Sequence, residues 1–491
     1  MQCWISLWLH LSEINMNKLT KLIATVGPAC HTKSDMKALI EAGVNLFRLN
    51  TSHSDQPTVL KWVNTIQDLN IEMGLFTSIL LDLQGPKIRL GKLSEPIIVL
   101  KGDTIKLSSI PHTDCIVVTY EDLPNDVKVG QTLLVDDGLV GLKVQAVEGG
   151  VIHTEVINDG VIRSSKGINL VGGGLNAGAL SESDKEWIAF ACEQRVDYLG
   201  LSFVRDTADF ESVKAISSKY PYSPRMIAKI ERQEAIDNLD DIIEASDGIM
   251  VARGDLAVEV GHQSVPLLQK RMINSARYHS KPVIVATQML ESMVNAPVPT
   301  RAEVSDVANA VMEHASCLML SAESATGKYP LKAVEMMTSI SYQAEQDEFL
   351  LQRNAMHEKP KRHSVRQEGI VEAVNAMTQQ MPIKLVVALT ETGHMARRLS
   401  CRLVGVPIFG VSSKAQVCRW MSLYYGVTSL QFDFLSCSHD WETQIIKKLG
   451  QFKSFDSDDL ILVTRGDVYG GYGKTNQIKL MRVADYEVGY V

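Results

Sequence analysis

The sequence predicts an α/β protein: a (β/α)8 TIM barrel with a small β-barrel lid domain inserted into it and an α/β domain at its C-terminal end. Three observations predict it. Eight short apolar runs, each ending in polar or small residues, recur as far as Glu323, with helical patterns between most of them. Strand–helix alternation repeated eight times marks a closed parallel barrel. The alternation breaks once, at residues 91–177, which carry only short β-like runs with Gly and Asp turns. A polar, basic stretch, Arg353–Arg366, then separates a further α/β alternation. A doubly wound sheet is the alternative, but eight units without a pairing break favour the barrel.

The elements follow in order. Residues 1–16 are read as a disordered or artefactual tail: MQCWISLWLHLSEIN is apolar but lacks the Lys or Arg of a signal peptide, and it is too short to span a bilayer. Met16 is the expected start. Residues 17–90 supply KLIATVG (21–27), VNLFRLN (44–50) and TSILLDL (77–83), apolar runs bounded by breakers as buried strands require. The insert at 91–177 would sit above the C-terminal mouth of the barrel, as a lid. Residues 178–350 complete the barrel with DYLGLSFV (197–204), RMIAKIE (225–231), GIMVAR (248–253), KPVIVATQ (281–288) and CLMLSAE (317–323). Helices are expected at Ser34–Ala42, Glu182–Glu193, Ala208–Ser218, Leu267–His279, Ala302–Glu313 and Leu331–Leu350. The fifth of these opens on a capping box at Thr300 and Glu303. Residues 351–491 form the last domain, with strands at 384–390, 406–412 and 459–467 and helices at Val371–Gln379, His394–Leu403 and Trp441–Leu449.

Composition narrows the function. Hydrophobic residues make up 45% and charged residues 22%, ordinary for a globular chain. The net charge of −8, with both signs interspersed, argues against a nucleic-acid or membrane partner. The eight cysteines (Cys3, Cys30, Cys115, Cys192, Cys317, Cys401, Cys418, Cys437) show no CxxC pair or metal-like spacing, which suits reduced thiols in a cytoplasmic protein.

The chemistry gathers at the strand tips. The run DGIMVARGDL (Asp247–Leu256) delivers Asp255, and RMIAKIE delivers Lys229 and Glu231, which share a face because they lie two apart on a strand. The second run ends in Arg48, Asn50, Ser52 and His53, the third in Asp82, and the seventh in Thr287. One charged tip is ordinary. An arginine, a lysine, three carboxylates and a hydroxyl at one rim are not. Glu231 and Asp255, with no Cys or His cluster beside them, point to Mg2+ or Mn2+ with positions left for substrate oxygens. Backbone amides at Gly254 and Asp255 suit a carboxylate or phosphate, and Arg48 and Arg89 are candidate phosphate forks. Two other classes use part of this set: a barrel lyase with a Schiff base on Lys229, and a non-enzymatic sensor binding a sugar phosphate through the last domain.

The motifs TKLIATVGPA, LFRLNTSH, DLQGPKIR, KGINL, KIE, MVARGDL, ATQMLESM, PTRAEVSDVANAV and MLSAESATGKYP stand in that order. In these the chain resembles the pyruvate kinase family over about residues 17–491. The resemblance implies a cytoplasmic glycolytic enzyme that moves the phosphoryl group of phosphoenolpyruvate to ADP, giving pyruvate and ATP, and a homotetramer joined through the Thr300–Val311 helix and the C-terminal domain. It implies that Arg48 binds the substrate phosphate and that Glu231 and Asp255 hold the divalent metal. Gly254, Asp255 and Thr287 would hold the substrate carboxylate. Lys229 would stabilise the transferring phosphoryl group and the enolate, which takes its proton through water near Thr287. Arg89, Lys166, Asn50 and His53 would meet the nucleotide. Asn50, Ser52, Asp82 and the carbonyl of Leu83 match the monovalent-cation site. Leu83, Gln84 and Lys87 resemble the potassium-independent branch, where the Lys87 ammonium replaces K+. Ala257 and the SAES run at 321–324 depart from the usual Gly and SGET, and both are expected to be tolerated. Thr390, Thr392, Gly393 and His394 lie at a strand-to-helix turn where this family binds phosphorylated effectors. A sugar monophosphate or AMP is expected here, with Arg397 or Lys474 compensating for His394 and the 470–473 loop closing over it.

Overall fold

The computed structural model describes residues 18–86, 88–112, 114–136, 138–172, 174, 180–346, 365–433, 440–466 and 475–486. Eight strands close into a parallel barrel: β1 (Lys21–Thr25), β2 (Leu46–Asn50), β3 (Ser78–Asp82), β4 (Tyr198–Leu201), β5 (Arg225–Ile230), β6 (Gly248–Ala252), β7 (Val283–Ala286) and β8 (Cys317–Leu320). They pair in chain order, and β8 returns to β1 with Lys21 opposite Cys317. Alternation sends Leu22, Phe47, Leu81 and Val251 outward against the helices, and Ile23, Leu46, Ile227 and Met250 into the interior.

Most strands stop earlier than the apolar runs; β2 ends with its run, at Asn50. β4 ends at Leu201 because Phe203 takes a φ of 56°, and β7 ends at Ala286 because Thr287 and Gln288 take 70° and 54°. The residues past each strand turn toward the mouth instead of continuing the ladder. The Gly254 turn becomes a helix, Arg253–Val260. The expected capping box is formed: Thr300 accepts the Glu303 amide at 3.3 Å, and Glu303 accepts the Thr300 amide at 2.7 Å, opening the helix Arg301–Met312.

Between β3 and β4 lies the inserted unit. A six-stranded sheet and a two-stranded ribbon enclose a core that includes Leu107, Leu133, Leu142 and Ile152. Bridges from Arg89 to Gly167 and from Leu90 to Val118 stitch the outgoing chain to the insert.

Beyond the barrel, β9 (Ile383–Leu389), β10 (Ile408–Ser412), β11 (Val427–Gln431), β12 (Leu460–Gly466) and β13 (Thr475–Arg482) form one sheet in the order β11-β10-β9-β12-β13, with only β13 antiparallel. Strands β11 and β13 and the helix Ala415–Met421 were not legible in the sequence. β13 (TNQIKLMR) is a half-exposed edge strand, and β11 carries a broken apolar pattern. This unit plugs the N-terminal end of the barrel. The interior cluster of Ile23, Leu46, Tyr198 and Ile227 runs without a break into Val386, Met395, Met421 and Tyr424. Polar contacts fix the seam: Arg419 pairs with buried Asp197 at 2.8 Å, Tyr198 donates to the Trp420 carbonyl, and the Arg225 guanidinium stacks 4.0 Å from the Trp420 ring. No helix among the described residues is long and apolar enough to cross a membrane.

Candidate active site

The mouth of the barrel is organised by one ammonium. Lys229, near the end of β5, lies 3.0 Å from Glu231 Oε1 and 3.2 Å from Asp82 Oδ1, and donates to Ser202 Oγ at 2.7 Å. Glu231 is 1% exposed, and its other oxygen accepts the Phe203 amide at 2.7 Å. Asp82 gives its second oxygen to Arg48 Nε at 2.7 Å, and Arg48 also donates to Thr25 Oγ1 at 3.1 Å.

Charge follows from this geometry. Burial would raise Asp82, but Lys229 and Arg48 beside it more than offset that and hold it below the usual carboxylate range. Burial would likewise strip Lys229 of its proton, but Asp82 and Glu231 reverse the effect and keep it above the ordinary lysine value. It is a fixed ammonium, the opposite of the neutral amine that Schiff-base chemistry needs. Glu231 is raised, first by burial and then by the neighbouring charge of Asp255.

Asp255 stands in the first turn of the helix Arg253–Val260. The Gly254 amide donates to Thr287 Oγ1 at 2.8 Å, and that hydroxyl donates to its own neighbour's carbonyl, Ala286, at 2.6 Å. The threonine hydroxyl and the glycine amide thus meet in direct hydrogen-bond contact.

Asn50, Leu83, Arg89 and Lys166 have internal partners. Asn50 Oδ1 accepts the Ser52 amide at 3.1 Å, and the Leu83 carbonyl accepts Ser202 Oγ at 2.6 Å. His53 is exposed on the loop after β2. Arg89 donates to the Ser165 carbonyl at 3.0 Å, and Lys166 pairs with Asp136 at 2.9 Å, so both belong to the junction of barrel and insert. Lys87 lies outside the described residues.

In the C-terminal unit, Gly393 takes a φ of 76° and caps the helix His394–Arg402, and its amide donates to Thr390 Oγ1 at 2.9 Å. The Thr392 carbonyl accepts Arg225 Nη2 at 2.8 Å, tying this turn to the foot of β5. His394 is half-buried at the first helical position. Lys474 and the 470–473 loop lie outside the described residues.

Sequence reasoning missed Ser202, Thr25 and the side chain of Arg253. Ser202 was read as one more residue of an apolar run, and only its place beside Lys229 marks it. Thr25 and Arg253 were absorbed into strands for the same reason.

A closed barrel whose mouth holds a buried ammonium, a guanidinium and paired carboxylates is built to handle an anionic substrate, and comparison with known proteins makes that class specific. Residues 17–334 match the family model described as pyruvate kinase, barrel domain, and residues 368–481 match pyruvate kinase, alpha/beta domain. A pyruvate kinase of Buchnera aphidicola subsp. Acyrthosiphon pisum is 37% identical over 480 residues, covering 96% of this chain and 100% of the relative. That of Mycobacterium tuberculosis (strain H37Rv) is 37% identical over 479 residues, with the same coverage. The crystal structure of a pyruvate kinase from Cryptosporidium parvum superposes with a TM-score of 0.90 at 31% identity, covering 96% of this chain and 97% of that one. The fold is shared with these relatives, which are phosphate-transferring enzymes, and this chain is such an enzyme, a kinase. The chain belongs to the pyruvate kinase family.

Proposed function

We propose that this enzyme transfers the phosphoryl group of phosphoenolpyruvate to ADP, giving pyruvate and ATP, in the cytoplasm. The observation that carries the reading is the fixed Lys229 ammonium, 3.0 Å from Glu231, with the Arg48 guanidinium on the far side of Asp82. A cation held in place beside the reacting group lowers the energy of negative charge that develops during transfer, with no reorganisation at that moment. Lys229 stabilises the moving phosphoryl group and the enolate, while Arg48 orients the substrate phosphate. The Gly254 and Asp255 amides and the Thr287 hydroxyl receive the carboxylate, whose oxygen takes the place of the internal Gly254–Thr287 contact.

Glu231 and Asp255 fit a divalent ion. Burial first and the neighbouring Asp255 charge second raise the Glu231 carboxyl, and a cation held between the two hard carboxylates would offset both effects. Mg2+ (or Mn2+) bound there would neutralise phosphate charge. Arg89, Lys166, Asn50 and His53 meet the nucleotide under the inserted unit, which acts as a lid. K+ is dispensable in this reading: Lys87 replaces its charge, and the oxygens of Asn50, Asp82 and Leu83 already accept internal donors. The turn Thr390–His394 takes a phosphorylated effector, a sugar monophosphate or AMP, and the enzyme is a homotetramer.

The test is pyruvate formation from phosphoenolpyruvate and ADP with Mg2+ in buffer free of K+. Rapid turnover supports both the reaction and the Lys87 role. Turnover that appears only on adding K+ keeps the reaction and removes the Lys87 role. No pyruvate under either condition, with sugar phosphate present, overturns the reading.

A further inference from the structure

We infer that Arg253 is a positioning residue for the substrate carboxylate, acting through Thr287; this rests on the proposed carboxylate site. Thr287 and Gln288 are consecutive non-glycine residues with positive φ, 70° and 54°. A β-branched residue in that region is strained and persists only where its surroundings hold it. Beside the hydroxyl's own contacts, the two carbonyls of the pair are held by one buried guanidinium. Arg253 Nη2 donates to the Thr287 carbonyl at 2.7 Å and to the Gln288 carbonyl at 3.3 Å, and Nε donates to the Thr287 carbonyl at 3.3 Å. Nη1 is anchored on the helix Arg301–Met312 through Asp306 at 2.8 Å, with Gln269 Oε1 at 3.4 Å.

The consequence is geometric. Fixing both carbonyls of the strained pair fixes the direction in which Thr287 projects its hydroxyl. That hydroxyl lies 2.8 Å from the amide of Gly254, the residue next to Arg253 in the chain. One dipeptide therefore sets both halves of the cradle: Arg253 by its side chain and Gly254 by its amide. The planar fork is needed, because a lysine ammonium is a point charge that cannot serve two carbonyls and a carboxylate in fixed directions. A small error in placing a binding group is felt at the bound substrate. The Arg253 guanidinium is committed to these carbonyls and to Asp306, so its role is to place Thr287.

The test measures KM for phosphoenolpyruvate and for ADP separately, in Arg253→Met and in Asp306→Asn, each alone and combined with Thr287→Ala. Arg253→Met should raise KM for phosphoenolpyruvate about tenfold and leave that for ADP within about twofold, and Arg253→Lys should not restore it. In the Thr287→Ala background the Arg253 substitution should add nothing, because residues that act as one unit are non-additive. Asp306 is partly exposed, so Asp306→Asn keeps the test available should Arg253→Met fail to fold; it should raise KM for phosphoenolpyruvate about threefold, again only when Thr287 is present. Equal changes in both KM values, or effects that add fully to Thr287→Ala, would overturn the inference alone. An unchanged KM for phosphoenolpyruvate in Thr287→Ala itself would overturn the carboxylate site and the inference with it.

Discussion

Asp82 and Lys229 meet at 3.2 Å across the mouth of the barrel, although β4 runs between their strands. The residue of β4 paired with Asp82 is Gly200, and a Cβ there would come within 3.0 Å of Asp82 Oδ1. The absence of a side chain on the middle strand lets a carboxylate and an ammonium on its two neighbours converge.

Gly200→Ala should therefore push Asp82 aside by a few tenths of an ångström and disturb Lys229. We expect kcat to fall about tenfold with little change in thermal stability, because a small displacement of a fixed charge weakens transition-state stabilisation more than packing. Steady-state kinetics beside a melting curve decide it, and an unchanged kcat would remove Gly200 from the account.

Lys229→Met should lower kcat by about a thousandfold or more, the scale of losing a preorganised electrostatic group. Mn2+ binding, followed by electron paramagnetic resonance, should survive, because Glu231 and Asp255 remain. A variant turning over at the wild-type rate would show that the ammonium does not serve the chemistry.

At the foot of β1, burial lowers Lys21 to about 7 and Lys18 to about 8. Glu345 and Cys317 face both lysines, and Lys18 opposes Lys21. The unfolded chain keeps these amines protonated up to about pH 10.4, so between the folded and unfolded values it binds more protons than the native state. Stability should therefore rise with pH from about 7 towards 10 and be flat just below that window. Glu345, raised by burial, acts with the opposite sign at acid pH, above the usual carboxylate value. Lys21→Met should stabilise the protein at pH 7 and flatten the alkaline rise, read from urea midpoints across pH. An unaltered slope would contradict the burial of that amine.

The seam between barrel and C-terminal unit should be weakened by Arg419→Met. Asp197 is 1% exposed, with one oxygen on Arg419 and the other on the Ile79 amide at 3.0 Å. Stranding a buried carboxylate costs about 3–5 kcal/mol, and the partial exposure of Arg419 reduces that to about 2–3 kcal/mol. Calorimetry should show the lowest-melting transition moving down by several degrees, and an unmoved transition would mean that the apolar seam alone joins the two units.

Much of the fold was legible because buried parallel strands write themselves as apolar runs, and all eight runs became barrel strands. Their ends were not legible. The runs continue through Phe203 and Gln288, but the backbone turns at Phe203, Thr287 and Gln288, and Ser202 and Thr287 come to lie against Lys229 and Gly254. Strand β13 was hidden because a half-exposed edge strand needs no apolar face.

The sequence by itself determined the repeated strand–helix unit, the break that admits the inserted unit, the capped helix after Thr300, and the side chains delivered to strand tips. Each depends on local periodicity or on a cap within four residues. Only the tertiary structure decided which of those tips meet, and in what charge state. Lys229 is held as an ammonium because Asp82, from a strand two places round the barrel, lies beside it, and Thr287 faces Gly254 because a guanidinium on another strand end grips its carbonyl. Burial and Coulomb interaction act through space between residues far apart in the chain, and no local pattern records them.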